Sequence, residues 1–302
     1  VSAAYDRRPL HRAEGPLCDA GLPVLQVTLE VGNSWLEAAG QTAETVHARI
    51  EADYAPSSFP IPQVEVEGRV DLVTRQETVS NIVGILPGRG ALANETVIAG
   101  AHYDHLGFGG PGSMQPGTRA IHNGADDNAS GVAALICGIR ALLGEPADFA
   151  APQRTLLVVA FASEEVGLGG SSWYVRHPLR PLEQTVAMVN LDMVGRMKDN
   201  KLIVQGMGTS SIWKKLIEKR NFAAGFSLKL QDDPYQPTDI TSIYPKGVPS
   251  IALFTGTHKD YHKPTDDPDT LNYEGMERVA KFTSTCLLYT SPSPRDATLA
   301  RM

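Results

Sequence analysis

Four short segments of the chain carry histidine, carboxylate residues or both. AGAHYDHLG holds His102, Asp104 and His105, ASEEVG holds Glu164 and Glu165, NLDMVG holds Asp192, and THKDYHKPTDD holds His258, Asp260, His262, Asp266 and Asp267. A fifth segment, IHNGADDNASG, sets Asp126 beside Asp127 in a turn of small polar residues. Imidazole and carboxylate without cysteine suit zinc or another borderline divalent ion, which both bind at about 2.0–2.2 Å. One ion needs only three protein ligands to keep an open position, and this set supplies more. Two ions about 3.5–4 Å apart, sharing one carboxylate and one water, use the surplus and form the clamp that hydrolysis requires.

Singly, each group has a plainer explanation: a histidine packed at a strand end, a solvated glutamate pair, an aspartate capping a helix. Their common position decides the matter, because the elements that carry them alternate as strands and helices from about Val64 onward. Residues 80–88, 96–104, 154–163, 185–195, 201–206 and 248–256 are predicted strands. Residues 128–144 are a predicted helix with Asn128 as its cap and Gly144 as its stop, and residues 210–221 a predicted amphipathic helix. The expected fold is α/β, a three-layer sandwich around a mixed, largely parallel sheet of at least six strands. In such sheets ligands bind beyond the carboxyl ends of the strands, where four of the polar groups fall. The aspartate pair joins them from the turn between one of these strands and the following helix.

Other chemistries fit less well. There is no GxSxG elbow and no HExxH helix, and Cys137 lies in an apolar helical pattern. A triad drawn through Ser163 would leave the glutamate pair and two aspartates without a role. GFGGPG near Gly107 lacks both the spacing and the strand–turn–helix setting of a nucleotide loop.

Composition narrows the class further. A formal charge of -7, from 27 Lys+Arg against 34 Asp+Glu, with no basic cluster, argues against a nucleic-acid partner. No apolar run reaches the roughly 20 residues of a membrane span. The widely spaced Cys18, Cys137 and Cys286 define neither a disulfide framework nor a thiolate zinc site.

In order along the chain, AGAHYDHLG, NGADDNASG, ASEEVGLGGS, NLDMVG and DYHKPTDD resemble the successive metal-site motifs of the di-zinc aminopeptidase family. That family includes bacterial leucyl aminopeptidases, glutamate carboxypeptidases, glutaminyl cyclases and the transferrin receptor. The resemblance spans about Val64 to Thr285. It implies two zinc ions, with cobalt or manganese as substitutes: His102, Asp126 and Asp192 on one, and Asp126, Glu165 and His262 on the other, Asp126 bridging. His102 is preferred to His105 because it comes first in its motif and lies closer to the strand. Asp104 would fix the His102 imidazole, and Asp127 would support the bridge across a cis Asp126–Asp127 bond. Glu164 would be the general base that takes a proton from zinc-acidified water and passes it to the leaving amine. Neighbours on a strand point to opposite faces, so Glu164 and Glu165 can share a site only if the chain turns, a freedom that VGLGG offers. Tyr244 occupies the position where some members place a tyrosine against the oxyanion.

The implied activity is metal-dependent aminopeptidase, acting on a peptide with a free terminus. A carboxypeptidase, a one-zinc glutaminyl cyclase and a binding protein without catalysis are the alternatives within the family. Family habit implies a secreted, periplasmic or envelope location. Residues 1–62 resemble the tail of a protease-associated domain, with Ala55–Pro62 as an extended connector, and residues 63–285 form the expected catalytic domain. The chain starts at Val1, as expected of a fragment. Cys286–Asp296 resembles one frame of a transposon-type sequencing adapter, so residues 286–302 are expected to be a non-native tail.

Overall fold

In the computed structural model, the described residues are 27–62, 64–67, 77–144 and 154–290. The chain forms two compact units, Val1–Glu77 and Thr78–Met302. Residues 1–26 of the segment likened to a protease-associated domain, and 291–302 of the expected non-native tail, lie outside the described residues. Among its described residues the first unit has two helices, α1 (Leu29–Ala38) and α2 (Ala43–Asp53), with no buried residue in either. Thr28 caps α1 through a 3.3 Å bond from the Val31 N–H, and Thr42 and Thr45 form a reciprocal capping box on α2. The expected connector, residues 55–62, has no helix or strand.

The second unit is built on seven strands: β1 (Ile82–Leu86), β2 (Thr96–His102), β3 (Thr155–Phe161), β4 (Thr185–Leu191), β5 (Lys201–Gln205), β6 (Ser227–Leu230) and β7 (Ser250–Phe254). Their order is β1-β3-β2-β4-β7-β5-β6. The β3/β2, β2/β4, β4/β7 and β5/β6 pairs are parallel; β1/β3 and β5/β7 are antiparallel. Strand β6 was not foreseen, because four residues, SLKL, at a half-exposed edge give too short a pattern.

Continuous apolar runs mark strands covered on both faces, and β2 is buried at all seven positions. One face packs Ala134 and Leu135 of α3 (Gly131–Gly144), Trp213, Leu216 and Ile217 of α5 (Ile212–Ala224), and Val279 and Phe282 of α7 (Tyr273–Thr290). The other packs Tyr174 of α4 (Gly169–Arg176) and Ile240 and Ile243 of α6 (Ile240–Ile243). This is the expected three-layer sandwich. Helix α7 continues past Thr285, and Cys286 and Leu287 are fully buried against the first face.

Helix α3 starts three residues later than expected, because the kinked turn Ala125–Ser130, in which Asp127 and Asn128 leave helical φ/ψ, precedes it. Asn128 still does the work of a cap: its Oδ1 accepts from Gly131 N at 3.0 Å and Met193 N at 3.1 Å, and its Nδ2 donates to Leu191 O at 3.0 Å. The turn is thereby tied to the end of β4. A methyl group at Gly131 would stand 2.6 Å from Leu191 O, a backbone atom that cannot swing aside. Gly131→Ala is therefore expected to cost about 1–3 kcal/mol in denaturant unfolding, with an unchanged midpoint as the contrary result.

Candidate metal centre

Strands β2, β3, β4 and β7 run parallel, so their carboxyl ends meet at one edge. His102 closes β2, Glu164 and Glu165 follow β3, Asp192 follows β4, and His258 to His262 follow β7. The chain turns at Ser163, whose φ of 57° is left-handed, and Gly167 N and Leu168 N then return to Glu164 O. Both glutamates consequently face the same cavity. The reversal comes earlier than the glycines of VGLGG.

Asp127 lies at the centre of the cluster. Its Oδ1 is 3.2 Å from His102 Nε2, and its Oδ2 is 3.0 Å from His262 Nε2. Asp192 Oδ1 is 3.4 Å from His102 Nε2, and Glu165 Oε2 is 3.1 Å from His262 Nε2. The far nitrogens of both imidazoles are engaged, His262 Nδ1 with Gly112 O at 2.7 Å and His102 Nδ1 with Asp104 O at 3.2 Å. Those bonds fix each ring so that Nε2 faces the carboxylates, the orientation a metal ligand requires once Nε2 is deprotonated. Two groups of donor atoms close enough for one ion result, His102–Asp127–Asp192 and His105–Asp127–Glu165, with His262 against the second.

Three expectations need correction. The first concerns Asp126, whose fully buried carboxylate is engaged away from this cluster: Oδ1 accepts from Gly195 N at 2.6 Å and Ser130 Oγ at 2.9 Å, and Oδ2 lies 3.1 Å from His258 Nε2. Asp127 stands where Asp126 was expected, and the cis bond is Asp127–Asn128 rather than Asp126–Asp127. Asp266 holds this register, because its Oδ2 accepts from both Asp126 N (2.9 Å) and Asp127 N (3.1 Å).

The second is Asp104, whose carboxylate is 3.8 Å from His102 Nδ1 and instead accepts from Glu164 N (3.0 Å) and Glu165 N (3.3 Å). It positions the glutamate pair; its backbone carbonyl orients the imidazole. The third is Tyr244, which does not line the cavity and packs its ring edge-on to Tyr235 at 5.9 Å. Tyr261 lines the cavity instead, stacked on His262 at 3.8 Å.

Sequence reasoning also left His105 aside, although its Nδ1 lies 2.6 Å from Glu165 Oε1 and its buried Nε2 has no partner. Its place in HYDH beside His102 was the available signal.

Charge explains how these groups titrate in the metal-free protein. Burial alone would lower the His102 pKa, yet Asp192, Asp127 and Glu164 raise it well above its usual value. The His262 pKa, opposed by burial, is raised to about 10 by Asp127 and Glu165. Burial also raises the Glu164 pKa, with Asp192, Asp239 and Glu165 adding to it against His102. Burial and the charges of Asp127 and Glu165 hold the Tyr261 phenol protonated. A cluster that draws protons onto its own imidazoles and glutamate lacks positive charge, and a divalent ion supplies it.

With this geometry established, comparison with known proteins is decisive. The profile of peptidase family M28 matches residues 81–287. The chain belongs to peptidase family M28. Aminopeptidase YwaD of Bacillus subtilis is 27% identical over 214 residues, covering 67% of this chain and 43% of that protein. Leucine aminopeptidase 1 of Ajellomyces capsulatus is 26% identical over 263 residues, covering 82% and 64%. The chain thus spans between 43% and 64% of the length of these relatives. Among solved structures, the zinc aminopeptidase BSAP of Bacillus subtilis superposes with a TM-score of 0.57 at 24% identity, covering 71% of this chain and 50% of that one. The LapA aminopeptidase of Legionella pneumophila does so at 0.57 and 20%, covering 70% and 56%. At these identities the structural likeness establishes the fold. No helix among the described residues is long and apolar enough to cross a membrane.

Asp239, fully buried just before α6, lies within electrostatic reach of the cluster, and burial raises its pKa to about 7. A folded-state pKa above the unfolded value of about 3.9 means that folding takes up a proton between these limits, so stability is lost as pH rises through them. Asp239→Asn removes the loss. In chelator-treated protein the variant is expected to gain stability over the parent from pH 5 to pH 8, by at most about 4 kcal/mol. A difference independent of pH in thermal unfolding would contradict this.

Proposed function

We propose that the protein is a zinc-dependent aminopeptidase that binds two ions, one at His102, Asp127 and Asp192 and one at Asp127, Glu165 and His262, with His105 supporting Glu165. The observation that carries this reading is the division of the Asp127 carboxylate, Oδ1 toward His102 and Oδ2 toward His262. A carboxylate that faces two imidazoles from opposite groups has the geometry of a bridge. The donor set fits zinc, being imidazole and carboxylate without thiolate.

When bound, the ions supply Lewis acidity toward the scissile carbonyl and lower the pKa of water. Glu164 lies 4.0 Å from His102 Nε2 through its Oε2 and lines the same cavity. Raised in pKa by burial, it is suited to accept the proton of the attacking water and return it to the leaving amine. Asp104 holds Glu164 in place through its backbone N–H. The protonated Tyr261 phenol is a side-chain donor available to the oxyanion, the role first expected of Tyr244. Aminopeptidase names among the relatives favour a free amino terminus over the carboxypeptidase and cyclase alternatives, and the peptide substrate follows from the family. Full retention of the cluster disfavours a binding-only role.

Glu164→Gln should keep its metal content and lose about 10²–10⁴ in kcat on aminoacyl amides. Asp127→Asn should bind fewer than two ions in metal analysis, whereas Asp126→Asn should keep two with reduced thermal stability. Full turnover by Glu164→Gln would remove the proposed base, and two retained ions in Asp127→Asn would remove the bridge.

A further inference from the structure

The cavity at the cluster has a volume of about 210 Å³ and a lining of two kinds. One is the set of candidate metal ligands with Glu164 and Tyr261. The other includes the apolar Met193 and Phe254 and two carboxamides, Gln205 and Gln236. A substrate whose scissile carbonyl meets the first set has the second left for its terminal side chain.

Gln205 ends β5, and Gln236 lies in the segment between β6 and α6. Gln205 Nε2 donates to Gln236 Oε1 at 3.1 Å, and Gln236 Nε2 reaches Asp233 O at 3.4 Å. The chain of amides runs in one direction, so the Gln205 Oε1 acceptor has no donor among the described residues. Among the described residues, no ionisable group outside the cluster other than the Tyr261 phenol lines the cavity. A charged terminal side chain would lose water there without gaining a counter-charge. A purely aliphatic one would cover an unmet acceptor, which a pocket built to hydrogen-bond its substrate disfavours. A neutral carboxamide donates to Gln205 and can accept from the amide pair in turn.

Building on the aminopeptidase reading, we propose that the terminal-residue pocket selects neutral side chains ending in a hydrogen-bond donor, carboxamides foremost, and that Gln205 is the residue that reads them. The selectivity is set by side-chain chemistry at constant size, which isosteric substrate pairs isolate.

The test compares kcat/KM of the zinc-loaded chain on glutaminyl against methionyl and asparaginyl against leucyl p-nitroanilides. The carboxamide is expected to lead each pair by roughly tenfold, the fold-change one neutral hydrogen bond carries. Gln205→Leu should lower both ratios by a similar factor. Inhibition of the parent enzyme by free L-glutamine, more effective than by L-methionine, supports the same preference without any variant. Parent ratios at or below one would overturn the proposal, as would an equal fall on all four substrates in Gln205→Leu, which marks a contact to the peptide backbone. Hydrolysis of none of the four by metal-loaded enzyme would overturn the aminopeptidase reading itself, and this proposal with it.

Discussion

Negative charge gathered in a buried place must be compensated, and the carboxyl-end edge of β2, β3, β4 and β7 is organised around that need. Asp127, Glu164, Glu165 and Asp192 share one cavity, where unpaired carboxylates are costly. In the metal-free protein His102 and His262 take up protons to answer them, which is why both have raised pKa values. In the proposed function, a pair of divalent ions would provide the same compensation without protonating the ligands and would leave positive charge facing a substrate carbonyl, so that binding and catalysis would answer one electrostatic requirement.

The surrounding structure acts to hold that charge in register. Asp266, more than a hundred residues away in sequence, accepts both backbone N–H groups of the aspartate pair. Asn128 fastens the same turn to the end of β4. Asp104 does the equivalent for the glutamate pair. Buried acids that never touch the cavity, such as Asp126 and Asp266, therefore have a positional function. A close-packed interior transmits small shifts rather than absorbing them, so a change at Gly131 or Asp266 is felt at Asp127.

Most of this was legible in the sequence, because two patterns are local. Apolar runs such as TLLVVAF and TVAMVNL announce strands, and the polar residues that follow each run announce the edge where the site lies. Asp127 was not legible. It differs from Asp126 by one position, and what separates their roles is the set of Asp126 side-chain contacts to Gly195, Ser130 and His258 that no local pattern encodes. Tyr261 was passed over for Tyr244, although it directly precedes His262, because nothing in the sequence says which tyrosine faces inward. The short edge strand β6 was missed for lack of length.

The central claim is that Asp127 joins two ions into one site. Crystals of the zinc-loaded protein, with anomalous differences measured at the zinc absorption edge, test it most directly. The account requires two peaks about 3.5–4 Å apart, one beside Asp127 Oδ1 and His102 and the other beside Asp127 Oδ2 and His262. A single peak, or ions held by Asp126 and His258 instead, would contradict it.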